Sequence, residues 1–257
     1  MISQTLRIAA LSLALVVGSA AAPNPAGYLS GREPDTLAAI PRPPNPGSPR
    51  DQADRAIFRQ TRSLEGGPRW SLARSDADLT KLLSDFDCAL GVSLTAQDAP
   101  RLMALIVKAA PDISAAYNVP KDAYKKLRPF TRDAGDICVP RSSGFAHSYD
   151  YPSGHATWAW AVGLILARAA PDRAAEILGR ARAFGESRVV CGVHNASAVE
   201  AGRVAADTVV SALAGDAAFR ADLAAARSEI SALRAAGRRP DPNRCQKEAA
   251  LTARTPW

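Results

Sequence analysis

The sequence predicts an all-α fold, a single-domain helical bundle, on three observations. Stretches between Asp51 and Ala236 are rich in alanine and leucine, residues of high helix propensity, and Pro or Gly stands at their ends. No alternating apolar and polar run of useful length occurs, and no Asn-Gly or Asp-Gly pair sits between apolar runs as a hairpin would want. At 257 residues and 47% hydrophobic content the chain can bury one sizeable core.

Taken in order, residues 1–21 read as a secretory signal peptide. Arg7 is the sole charge, an apolar run spans Ile8 to Val17, and small residues offer cleavage after Ala20 or Ala21. That run is too short and too poorly flanked for a membrane-spanning helix. Residues 22–50 form an extended arm, because the prolines and glycine of "IPRPPNPGSPR" forbid regular structure until about Pro49. A helical domain then fills residues 51–257. Its first helices are "DQADRAIFRQTRSL" and "SDADLTKLLSDFDCALG", the second with Ser75 as N-cap and Gly91 as stop. "SLTAQDAPRLMALIVKAAPDISAAYNV" continues in kind, followed by Thr157–Ala170, Asp172–Phe184, Ala196–Leu213 and Ala217–Ala236. The apolar run from Ala156 to Ala167 suits a central buried helix and falls short of a membrane crossing. Trp158 and Trp160 within it read as core rather than as a substrate platform. No internal repeat is found.

The four cysteines, Cys88, Cys138, Cys191 and Cys245, are even in number and lack the close Cys-x-x-Cys pairing of a zinc site. In an exported chain they read as two disulfides, with three pairings open. The formal net charge of +7 suits anionic substrates or an anionic surface. No dense basic tract appears, which argues against nucleic acid as the partner.

Three short segments carry candidate chemistry. In "KDAYKKLRPF", Lys121 and Arg128 are two helical turns apart and are expected on one face, a point charge beside a guanidinium fork. In "PSGH", the Ser153 hydroxyl, the absent side chain of Gly154 and the free N–H groups of a helix start make an anion seat, with His155 beside it as a proton donor. In "SRVVCGVHNASAVEAGR", Arg188 supplies a second guanidinium and His194 an imidazole nucleophile. Cations around the equatorial oxygens and imidazoles on either side are what phosphoryl transfer needs, with no metal and no other cofactor.

The order and spacing of these segments resemble the PAP2 superfamily, and within it the bacterial class A non-specific acid phosphatases. The shared pattern is Lys, six residues, Arg-Pro; then Pro-Ser-Gly-His; then Ser-Arg, five residues, His, three residues, Asp. Here it reads Lys121, Arg128, Pro129; Pro152, Ser153, Gly154, His155; Ser187, Arg188 and His194. The likeness extends upstream through "PNPGSPRDQADRAIF" and "GGPRWSLARSDADL". It implies His194 as a nucleophile that becomes phosphohistidine, His155 as general acid, and Lys121, Arg128, Ser153, Gly154 and Arg188 as phosphate ligands. It implies an all-helical, metal-free acid phosphatase, periplasmic or secreted, acting on small phosphate monoesters with broad specificity, without nucleic acid or stable membrane insertion. A homo-oligomer stays open.

Two departures stand out. Where the pattern has Asp, four residues after the nucleophile, this chain has Ala198, so the carboxylate that fixes the histidine tautomer is missing. Ser197 is expected to take over as hydrogen-bond acceptor, while Glu200, about 240° round the helix, faces elsewhere. The second departure is Tyr149-Asp150 in place of Gly-Ser ahead of Tyr151. Tyr149, Asp150 and His147 read as loop residues without a role, the alternative being that they line the pocket mouth and alter leaving-group preference. The alternatives are a phosphate-binding relic weakened at Ala198 and, ranked lower, a vanadium-dependent haloperoxidase.

Overall fold

Alanine-rich and leucine-rich segments become helices whose small residues let axes approach closely. The computed structural model describes residues 26–142, 145 and 147–257, and the expected signal peptide lies outside the described residues. Among the described residues the α-helices are α1 (Thr36–Ala39), α2 (Pro49–Thr61), α3 (Pro68–Ser75), α4 (Asp87–Leu90), α5 (Pro100–Tyr124), α6 (Gly154–Ala169), α7 (Ala174–Val190), α8 (Ala196–Gly215), α9 (Ala217–Ala235) and α10 (Pro242–Thr252), with no strand. The central helix is α6, packed mainly on α7 and α8, with α5 and α9 closing the other side. Buried Ala159, Ala161, Ala181, Ala205 and Ala206 line these contacts around Phe86, Ile165, Leu166, Phe184 and Phe219. Truncating one of those phenylalanines to alanine would cost about 3–5 kcal/mol. No helix among the described residues is long and apolar enough to cross a membrane.

The structure departs from the sequence reading at three places. Ser75 ends α3 instead of opening a helix, and residues 76–86 run through two short 3₁₀ turns before α4. Asp78 is the reason for the first turn: its carboxylate accepts from the Thr80 N–H (3.1 Å) and caps Leu79–Lys81. Gly91 does end α4 in a left-handed conformation. The arm, second, is no free linker. It makes one helical turn at α1 and packs Tyr28, Leu29 and Ile40 into the core. Asp112 of α5 anchors it by accepting from the Tyr28 N–H (2.8 Å), and Tyr151 donates to the Pro41 carbonyl (2.6 Å). Third, α5 stops at Tyr124 because Lys125 takes a left-handed conformation (φ 49°).

Both disulfides form. Cys88–Cys245 joins α4 to α10, and Cys138–Cys191 joins the loop after Arg128 to the end of α7. By constraining the unfolded chain each contributes on the order of 4 kcal/mol, and such bonds persist in an oxidising compartment.

Candidate active site

The site gathers where three segment ends meet. Ser153 is the N-cap of α6, its hydroxyl accepting from the Ala156 N–H (3.4 Å). Its own N–H donates to the Ala198 carbonyl of α8 (2.9 Å), which locks the start of α6 against the start of α8. The approach is so close that a Cβ on Gly202 would lie 2.8 Å from the Ser153 carbonyl oxygen. Gly154 and His155 open α6, so their N–H groups have no acceptor within the helix.

The end of α7 delivers the second group. Arg188 sits in its last turn, and Arg62 of the segment after α2 caps the helix by donating to the carbonyls of Val189 (3.1 Å) and Val190 (2.6 Å). Gly192, with φ +77°, then reverses the chain so that His194 enters the site.

Lys121 and Arg128 meet here by a different route from the one expected. They do not share a helix face. Lys121 lies in the last turn of α5, whereas Arg128 follows the helix in extended backbone (φ −70°, ψ 151°). The left-handed Lys125 swings Arg128 inward. Lys121 Nζ donates to the Tyr149 carbonyl (2.6 Å). Arg128 donates to the Ser148 carbonyl (3.0 Å) and the Val193 carbonyl (2.7 Å), and lies over the Phe145 ring. Arg188 is 2% exposed, and its Nε and Nη1 have no hydrogen-bond partner among the described residues.

Burial and mutual repulsion push these groups down. Burial, then Arg128, lowers Lys121 to about 8; burial lowers Arg128 to about 10; burial, then the Arg128 charge, lowers Arg188 to about 10. His155 falls to about 3, chiefly through burial and then Arg188, with its Nε2 held 3.1 Å from the Ala77 carbonyl.

His194 is 2% exposed and its tautomer follows from its neighbours. Arg128 Nη1 lies 3.0 Å from Nε2. A guanidinium only donates, so Nε2 holds the lone pair and the ring proton is on Nδ1. Nδ1 faces the Asp150 carbonyl (2.8 Å) and Asp150 Oδ1 (3.0 Å), both acceptors. Burial first, then Arg128, Lys121, Arg188 and His155, hold the ring well below the usual histidine range, hence neutral.

Two expectations about this histidine are corrected. Ser197 does not serve it: its N–H (3.0 Å) and hydroxyl both donate to Asp54 of α2, which caps the start of α8. Asp150 is not a mouth residue. It is fully buried against His194, and sequence reasoning missed it. The only signal was an acidic residue three before the Pro-Ser-Gly-His histidine's own serine, which a loop aspartate imitates. Glu200 is exposed and pairs with Arg50, as its helical phase predicts. His147 is exposed in the preceding loop. Trp160 packs partly against the core and donates to Asp207 (2.9 Å), and Trp158 packs beside it. Among the described residues no group of three or more His, Cys, Asp or Glu could hold a metal ion.

The domain is all-helical, and it brings Lys121, Arg128, His155 and Arg188 within electrostatic reach of His194, beside the α6 start at Ser153. The chain belongs to the PAP2 superfamily, which its residues 102–215 match. It is 41% identical over 221 residues to an acid phosphatase of Zymomonas mobilis, spanning 83% of this chain and 82% of that one. It is likewise similar to non-specific acid phosphatases of Providencia stuartii (32% over 204 residues, 78% and 82% covered) and Salmonella typhi (30% over 198 residues, 75% and 78% covered).

Proposed function

We propose that this enzyme, an acid phosphatase, hydrolyses small phosphate monoesters outside the cytoplasm, through a phosphohistidine on His194 and without a metal ion. The observation that carries the reading is Arg188: a buried guanidinium with unpartnered donors, beside two more cations, calls for an anion. Lys121, Arg128, Arg188, the Ser153 hydroxyl and the N–H of Gly154 bind the phosphoryl oxygens. His194 Nε2, which holds the lone pair, forms the N–P bond as the P–O bond to the leaving alcohol breaks. His155 protonates that leaving oxygen, then takes a proton from the water that cleaves the N–P bond and releases phosphate.

With His155 lowered to about 3, the free enzyme holds it neutral at mildly acid pH. The proton therefore arrives with the substrate. A phosphate monoester has its second pKa near ~6, and its monoanion can hand a proton to His155 once its charge lies in the cup. An acid optimum follows from the substrate. Both disulfides support export.

The test is turnover of p-nitrophenyl phosphate in excess EDTA, with acid-quench trapping of labelled phosphoenzyme. Wild type turns over and traps label, and His194→Ala does neither. A requirement for added metal, or label retained in His194→Ala, sinks the reading.

A further inference from the structure

The two departures from the family pattern are one exchange. We propose that Asp150, in the loop ahead of α6, supplies His194 with the orienting carboxylate that the pattern takes from the position of Ala198. This rests on the phosphatase reading and deepens it.

Several contacts lead there. The ring proton on Nδ1 meets two oxygens of one residue, the Asp150 carbonyl and Oδ1. Asp150 is in turn fixed from both sides: its N–H donates to the Lys126 carbonyl (2.7 Å), while its carboxylate accepts from the Asn195 N–H (3.1 Å) and the Asn195 amide (2.7 Å). The residue after the nucleophile thus clamps the carboxylate that aligns the nucleophile. The other candidates are engaged elsewhere: Ser197 serves Asp54, Glu200 pairs with Arg50, and Ala198 is buried in the apolar core.

The electrostatic need is plain. Groups facing the ring are Arg128, Lys121, Arg188 and His155, all cationic or neutral, and Asp150 is its acidic neighbour. When Nε2 forms the N–P bond, positive charge spreads over the imidazole while the proton stays on Nδ1. Burial raises the Asp150 carboxyl, against which the Asn195 hydrogen bonds, Lys126 and Arg128 favour its ionised form; as a carboxylate 3.0 Å from Nδ1 it stabilises that charge, and none of the other groups can. Asp150 is a positioning residue: it acts on phosphate only through His194.

The measurements are steady-state kinetics of Asp150→Asn on p-nitrophenyl phosphate, with inorganic phosphate inhibition and urea midpoints, and the ¹⁵N-resolved tautomer of His194 in the wild type, assigned by its loss in His194→Gln. Expected are a kcat lower by ~10²- to 10⁴-fold, a KM and a phosphate inhibition constant within about threefold of wild type, and Nδ1 protonated in the resting enzyme. A folded Asp150→Asn with wild-type kcat overturns the proposal. So does an equal loss of kcat and phosphate affinity, which would make Asp150 a wall of the cup only. Should the variant not fold, the wild-type tautomer decides, and protonation on Nε2 overturns it. A wild type without turnover sinks the phosphatase reading instead, with the tautomer still deciding the pairing.

Discussion

Arg180 and Arg188 stand on the same face-forming helix, α7, equally buried and differently treated. Arg180 donates to both oxygens of Asp76 (2.6 and 3.2 Å) and lies 3.4 Å from Glu248. Burial pulls its guanidinium down, but the charge and hydrogen bonds of Asp76, then Glu248 and Asp85, outweigh it and raise it. Arg188, two turns on, is lowered to about 10 by burial first and then by the Arg128 charge, which Asp76 does not offset. One end of the helix is neutralised within the protein. The other keeps donors without a partner among the described residues, and under the proposed function that asymmetry separates a structural charge from a binding charge.

Truncating each arginine in turn has the largest expected effect. Arg188→Ala should lower kcat/KM by ~10²- to 10³-fold or more with little loss in the urea midpoint. Arg180→Ala should strand buried Asp76 and cost about 3–5 kcal/mol of stability. Equal stability losses in the two variants would erase the distinction. A smaller effect comes from inorganic phosphate, which should stabilise the wild type by about 2.7 kcal/mol at 100 times its dissociation constant. In thermal unfolding Arg188→Ala should lose that shift and a folded Arg180 variant should keep it; a shift that survives in Arg188→Ala places the anion elsewhere. The smallest effect is in pH. His155, neutral in the free enzyme above about 3, gives kcat/KM no limb of its own between pH 4 and 8. The falling limb belongs to substrate, about tenfold per unit above pH ~6, and it steepens above about 8 as Lys121 loses its proton and the cup a cation. A limb that ignores the second pKa of the substrate contradicts the proton's origin.

The all-helical fold, the three segments and the need for two disulfides were legible because each is local: propensity, a helix start, an even cysteine count. What failed was nonlocal or conformational. Counting at 3.6 residues per turn puts Lys121 and Arg128 on one face, and one left-handed residue, Lys125, breaks the count. Residues 76–91 looked helical by composition, but Asp78 turned its carboxylate to its own backbone. Asp150 meets His194 from 44 residues away, whereas the nearest hydroxyl in the sequence is Ser197. The cysteine pairing depended on the fold for the same reason.

The bond from Tyr151 to the Pro41 carbonyl has a practical bearing. Tyr151 joins Asp150 to the Pro-Ser-Gly-His turn, so the loop that carries the partner of His194 is fastened to the arm at Pro41. A shortened version beginning at residue 51, attractive to an engineer trimming an enzyme to its helices, would cut that fastening and strip Tyr28 and Leu29 from the interior. Tags and fusions belong at the other end or ahead of Tyr28.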